Sequence, residues 1–135
     1  GGVTKTVDKD DVFLANPPRF DGMPDMARLS HLSQPCLLQN IVVRYRAGQI
    51  YTFTGPLLIS VNPFQRLDEL YSQDVLMSYQ GSNLSEQAPH VYCAAESARQ
   101  SLKREGKSQS IVISGESGSG KTEAAKYIMG YLARS

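Results

Sequence analysis

The chain has 135 residues, 41% hydrophobic and 20% charged, and its 14 Lys+Arg against 13 Asp+Glu leave a formal charge of +1. That is one domain or a piece of a larger one, and the near-neutral balance argues against a dedicated nucleic-acid-binding module. No apolar run approaches the roughly 18 residues of a membrane span, and the first residues contain no apolar core of a signal peptide.

Cys36 and Cys93 stand far apart and outside any CxxC pattern, so they read as reduced, partly buried thiols. His31 and His90 are equally isolated and read as polar helix residues rather than metal ligands. The first residue is Gly rather than Met, which suggests a processed chain or part of a longer one.

Residues 1–15 carry mixed charge without a period and read as a flexible lead-in. The run Asn16-Pro17-Pro18-Arg19-Phe20-Asp21-Gly22 is turn chemistry. Asp25 then precedes Met26, Leu29 and Leu32, a spacing that predicts a short helix capped by Asp25. A second helix opens at Pro35, with Leu37, Leu38, Ile41, Val42 and Tyr45 as its apolar positions, and ends at Gly48. Strands at 50–53 and 57–61 around Gly55-Pro56 predict a hairpin, broken at Asn62-Pro63.

A short helix is expected over Ser72 to Tyr79, then a polar loop from Gly81 to Ala88. A longer helix starts at Pro89, with Val91, Ala94, Ala95, Ala98 and Leu102 as its stripe, and ends in the basic run from Lys103 to Lys107. The apolar-centred run from Ser110 to Ser114 predicts a buried strand. A glycine-rich loop leads into a final helix from Lys121 to Ala133, with Ala125, Ile128, Met129 and Leu132 on one face.

The loop carries the chemistry. Gly115-Glu116-Ser117-Gly118-Ser119-Gly120-Lys121-Thr122 matches G-x-x-x-x-G-K-[ST]. Glycines let the backbone wrap a phosphate chain so that several N–H donors converge on it, and the following helix turns its positive end toward the anion. Lys121 adds a full charge toward the β- and γ-phosphates, and the Thr122 hydroxyl is a hard ligand suited to Mg²⁺. The implied ligands are ATP and Mg²⁺. No apolar strand ending in Asp accompanies the loop to hold the metal through water, so no catalytic residue is assigned, and the chain alone is expected to turn over no ATP.

Beyond the loop, seven further segments resemble successive parts of the myosin motor head, in that family's order. They are Asn16 to Gly22, Asp25-Met26 with Leu29 and Leu32, Arg44-Tyr45, Ile50 to Gly55, Val61 to Phe64, Pro89 to Tyr92 and Gln109 to Ile111. The loop itself, through Glu123, is similar to that of the family, with Ser119 where Ala is usual. The resemblance runs from residue 16 to the C-terminus. It implies an α/β fold: an incomplete P-loop NTPase fragment, with a β-hairpin and a P-loop strand flanked by helices, over residues 16–135.

The same resemblance implies an adenine site at Asn62, Pro63, Arg66 and Tyr71, and places Lys126 near the nucleotide. Ala124 and Ala125 replace a polar pair of the family, and Gln34 stands where Glu is usual. The parent would be a cytoplasmic, cytoskeletal ATPase moving on actin filaments through regions outside these residues. A kinesin-like motor, a nucleotide kinase and a non-catalytic nucleotide-binding module are the alternative readings, since a G-S-G-K-T loop also occurs in kinesins.

Overall fold

The computed structural model describes residues 2–135; Gly1 of the expected lead-in lies outside the described residues. Helix α1 spans Gln34–Arg46, strands β1 Tyr51–Thr54 and β2 Leu57–Ser60, and helices α2 Gln73–Tyr79, α3 Val91–Glu105 and α4 Lys121–Arg134.

The hairpin forms where it was expected. β1 and β2 pair antiparallel with Tyr51 opposite Ser60 and Thr54 opposite Leu57, and the Val61 amide extends the ladder to the Ile50 carbonyl at 2.9 Å. Gly55 takes φ +59, which a two-residue hairpin turn requires at its first position and which proline could not follow with a second positive φ. Asp25 fastens this turn from outside: its Oδ1 accepts from the amides of Ala27 and Gly55, each at 3.0 Å.

The helix expected after Asp25 is reduced to one 3-10 turn, Met26–Arg28. The chain there must run beside β1, where the Phe53 amide donates to the Pro24 carbonyl at 2.8 Å, and that extended course leaves no room for a second turn. Met26 and Leu29 are buried, but Leu32 is exposed.

Helix α1 also departs from its expected orientation. Leu38 and Tyr45 face solvent, while Cys36, Asn40 and Arg44, spaced i, i+4 and i+8, form the buried face. Asn40 exchanges hydrogen bonds with the amide and carbonyl of Met23, at 2.8 and 2.9 Å. Arg44 donates to the Gly22 carbonyl, the Tyr51 carbonyl and the Thr52 hydroxyl at 2.9 to 3.0 Å. Backbone groups in irregular segments need partners when buried, and this demand outweighs the apolar stripe in setting the face that turns inward. Leu14 in the lead-in is tied down as well, its carbonyl accepting from the Cys36 thiol at 3.2 Å.

The main core lies between β1 and helices α2, α3 and α4, around Ile50, Tyr51, Leu76, Tyr79, Tyr92 and Tyr131. Helix α3 ends at Gly106, whose φ of +65 suits the left-handed C-cap. On α4 the inward face is Ala124, Tyr127, Ile128 and Tyr131, rotated from the expected one: Met129 is 62% exposed. On α3 the buried set includes Tyr92 and Glu96, and Leu102 lies outside it.

The strand expected at 110–114 is not formed. The segment is extended and Ile111 packs against the core, but Val112 is 87% exposed and no ladder pairs with it among the described residues. An apolar run becomes a strand only when a neighbour accepts its hydrogen bonds, and among the described residues β1 pairs with β2 and bridges to Asp25, leaving no ladder for 110–114. The fold is therefore a mixed α/β arrangement of a two-stranded antiparallel sheet and helices.

Candidate functional site

The glycine-rich loop closes directly onto α4. Gly120 is the N-cap with φ +94, and Gly118 takes φ +78. No side chain caps the helix, whose first intrahelical bond runs from Ala124 to the Gly120 carbonyl at 3.0 Å. Among the described residues, the amides of Gly120, Lys121, Thr122 and Glu123 donate to no protein acceptor. Four N–H groups without protein partners thus lie at the positive end of a 14-residue helix, a setting suited to an anion.

Lys121 bends back over the loop. Its Nζ donates to the carbonyls of Gly115 and Glu116 at 2.7 and 2.8 Å. An ammonium has three N–H donors, so two position the charge and one remains for a ligand. A Cβ at Gly115 would sit 2.5 Å from the Ser119 Oγ and 3.3 Å from its Cβ, so any side chain there would displace Ser119. The loop also closes on itself through the Ser119 amide, which donates to the Glu116 carbonyl at 3.2 Å. Glu116, Ser117 and Thr122 are exposed, Thr122 in the first turn of α4.

Asn62 joins this loop from the end of the hairpin. Its Nδ2 donates to the Gly118 carbonyl at 2.8 Å, while its Oδ1 accepts from the Phe64 amide at 2.9 Å. Gly120 lies beside it, a Cβ there falling 3.9 Å from Asn62 Cβ. The Asx turn at Asn62 carries Phe64 at φ +51 with its side chain 85% exposed. Pro63 is half-buried in the same turn, and Arg66 is exposed beyond it.

Tyr71 sits apart from the loop. Its ring stacks on Tyr127 of α4 with centroids 3.5 Å apart and planes 7° from parallel, and its hydroxyl meets that of Tyr51 at 2.8 Å. Lys126 pairs with Glu123 at 2.7 Å, both exposed. Asn62 thus contacts the loop at Gly118 and Gly120 and Lys121 contacts it at Gly115 and Glu116, whereas Tyr71 contacts α4 at Tyr127.

Two buried polar groups behind the site escaped the sequence reading. His90 is the N-cap of α3: Nδ1 accepts from the Tyr92 amide at 3.0 Å and Nε2 meets the Leu70 carbonyl at 3.1 Å. Rings of Tyr51, Tyr71, Tyr79 and Tyr92 surround it, and burial pushes its pKa down to about 4 against the opposing effect of the Leu70 carbonyl. Glu96 is fully buried. Burial alone would push its carboxyl up, but hydrogen bonds from Arg99, Gln100, Tyr131 and the Gly81 amide outweigh it and hold the pKa at about 2. A usable signal was present in Arg99 and Gln100, which follow Glu96 at i+3 and i+4 as helical partners.

A family model described as the myosin head (motor domain) matches residues 23–135. The chain belongs to the myosin motor-head family. It is 49% identical to Myosin-9 of Arabidopsis thaliana over 112 residues, 83% of this chain and 7% of that protein. Identity is 49% over 123 residues with Myosin-4 of Arabidopsis thaliana, covering 91% of this chain and 11% of the relative. With Myosin-2A of Naumovozyma castellii it is 46% over 121 residues, 90% of this chain and 8% of the relative. The chain therefore spans about a tenth or less of the length of these myosins. The family match leaves the kinesin-like and nucleotide-kinase alternatives without support. Among the described residues, no helix of this myosin segment is long and apolar enough to cross a membrane.

Proposed function

We propose that this segment is the ATP-binding portion of an actin-based myosin motor, working in the cytoplasm on the actin cytoskeleton. The observation that carries the proposal is a glycine loop that ends on four unpaired amides, residues 120–123, with the Lys121 ammonium held on the same loop's carbonyls. The donor set fits a polyphosphate: backbone N–H groups for its oxygens and one lysine N–H left over for its charge. In this reading Gly115, Glu116, Ser117, Gly118, Ser119, Gly120 and Lys121 hold the phosphates. Thr122 offers its hydroxyl to Mg²⁺. Asn62, Pro63, Arg66 and Tyr71 border the base, with Lys126 alongside.

Bound Mg²⁺–ATP would supply the phosphoryl group whose hydrolysis drives movement. This chain's own residues bind and orient. The Gly115 and Glu116 carbonyls hold Lys121 in place before a ligand arrives, so less side-chain freedom is lost on binding. Asn62 ties the Gly118 carbonyl of the loop to the end of the hairpin.

The test is nucleotide affinity in the full-length protein, with and without Mg²⁺. Lys121→Ala should abolish productive ATP binding. Thr122→Ala should retain much of the metal-free affinity and lose most of the gain that Mg²⁺ provides. Wild-type Mg–ATP affinity in Lys121→Ala would remove the phosphate-cradle reading.

A further inference from the structure

We propose that Glu96 is a positioning residue for the phosphate loop, acting through the Tyr131 hydroxyl on α4; this rests on the ATP-binding reading above. Glu96 is 0% exposed and its two oxygens receive five hydrogen bonds. Arg99 donates to both oxygens, at 2.7 and 2.6 Å, and neutralises the charge. Gln100 and the Gly81 amide donate to Oε1 at 2.9 and 2.8 Å. These four bonds stay within α3 and the segment preceding it. The fifth crosses to the phosphate-loop helix: Tyr131 Oη donates to Oε2 at 2.8 Å, and Tyr131 is itself 0% exposed.

That single crossing bond is well placed to set the loop. The loop runs directly into α4, and α3 reaches it through the extended segment 106–114, so the placement of α4 against α3 bears on where the loop's amides sit. Tyr131 lies ten residues beyond Lys121, about 15 Å along the helix. A rigid shift of α4 by about 1 Å would carry its N-terminal amides by the same amount, a misplacement large enough to degrade a positioned polar site severely. An apolar contact tolerates such shifts, since burial has no direction. A 2.8 Å hydrogen bond to a fixed carboxylate does not, because lengthening it by about 1 Å takes it out of hydrogen-bonding range. The carboxylate is held by its four other hydrogen bonds, from Arg99, Gln100 and the Gly81 amide.

The experiment measures affinity for a fluorescent ATP analogue and thermal stability on the full-length protein, for wild type, Tyr131→Phe, Glu96→Gln, the double variant and Lys121→Ala, well below every melting temperature. Tyr131→Phe keeps the ring and removes only the donor, so it serves even if Glu96→Gln fails to fold. Positioning requires that Tyr131→Phe weaken nucleotide binding about three- to tenfold in fully folded protein. It also requires that the double variant be no weaker than Glu96→Gln alone, as for two ends of one interaction. Tyr131→Phe with wild-type affinity and only a lowered melting temperature would overturn the proposal while Lys121→Ala still abolishes binding. Wild-type affinity in Lys121→Ala would instead remove the phosphate-loop reading itself, and the proposal with it.

Discussion

Arg44 is a buried cation, 6% exposed, and its partners are three neutral oxygens. Replacing it with Ala removes three hydrogen bonds and the packing of its stem, and also removes the cost of desolvating a guanidinium. What decides the balance is the acceptors left behind. Thr52 is 2% exposed and the Tyr51 residue 4%, so water does not readily replace the guanidinium at either, whereas the Gly22 carbonyl lies in a less enclosed turn. Two buried acceptors at about 1–2 kcal/mol each, plus the lost stem contacts, make a destabilisation of about 3 kcal/mol. For a chain of this length, with an unfolding entropy of roughly 0.3 kcal/mol/K, that corresponds to a fall in Tm of about 10 °C.

Seven tyrosines and no tryptophan make tyrosine emission, together with far-UV circular dichroism, the probe for urea unfolding. Arg44→Lys is the informative companion. Its ammonium keeps the charge and has three donors, but it lacks the planar fork that reaches Gly22, Tyr51 and Thr52 together. It should recover less than half of the loss. A loss below about 1 kcal/mol in Arg44→Ala, or full recovery in Arg44→Lys, would refute the idea that directed hydrogen bonding turns this face of α1 inward.

Acidification should act on His90 first. Its folded pKa of about 4 lies below the ordinary value of 6.5, so the unfolded chain binds the proton more readily. Stability is then fully present above about pH 6.5 and is lost as pH falls toward 4, by about 3 kcal/mol in total. Urea midpoints across this window should fall, and His90→Asn, which retains a capping acceptor, should flatten the slope; an unchanged slope would show that another group titrates. Glu96, held near 2 against an ordinary 4.5, adds stability above about pH 4.5 that is lost as pH falls toward 2. Asn62→Ala removes the bonds to Gly118 and Phe64. It should cost about 1 kcal/mol of stability and weaken ATP-analogue binding in the full-length protein several-fold; a lowered melting temperature with unchanged affinity would show that Asn62 braces the hairpin end but not the loop.

The parts legible from sequence were those whose cause is local. The hairpin follows from two β-prone runs around Gly55-Pro56, and α3 from a start at Pro89 and an end in the basic run from Lys103 to Lys107. The loop is legible because glycine, lysine and threonine spacing reports a backbone shape directly. The face of α1 was not legible, since Asn40 and Arg44 turn inward for carbonyls and amides of residues 22, 23 and 51 that only the tertiary fold brings near. The run 110–114 has the composition of a strand, but composition does not supply a pairing partner. Glu96 lies off the apolar stripe expected on α3, and the partner that draws it inward, Tyr131, stands 35 positions later.

The aromatic cluster gives these pieces a common logic. The proposed base side of the site lies on the segment from Asn62 to Tyr71, and the phosphate side on the loop and α4. Two direct contacts join them: Asn62 to the Gly118 carbonyl, and the Tyr71 ring to that of Tyr127. The first holds the loop and the second holds the helix six residues past Lys121. Behind Tyr71, His90 fixes the Leu70 carbonyl and caps α3 with the same ring, so the start of α3 and the base-side segment share one anchor. Behind Tyr127, Tyr131 takes α4 to Glu96 in the middle of α3. Helix α3 is thus the common frame, holding one half of the site through His90 and the other through Glu96. The two halves keep their relative position by directed hydrogen bonds and ring stacking, while the apolar contacts around them supply cohesion without specifying an angle.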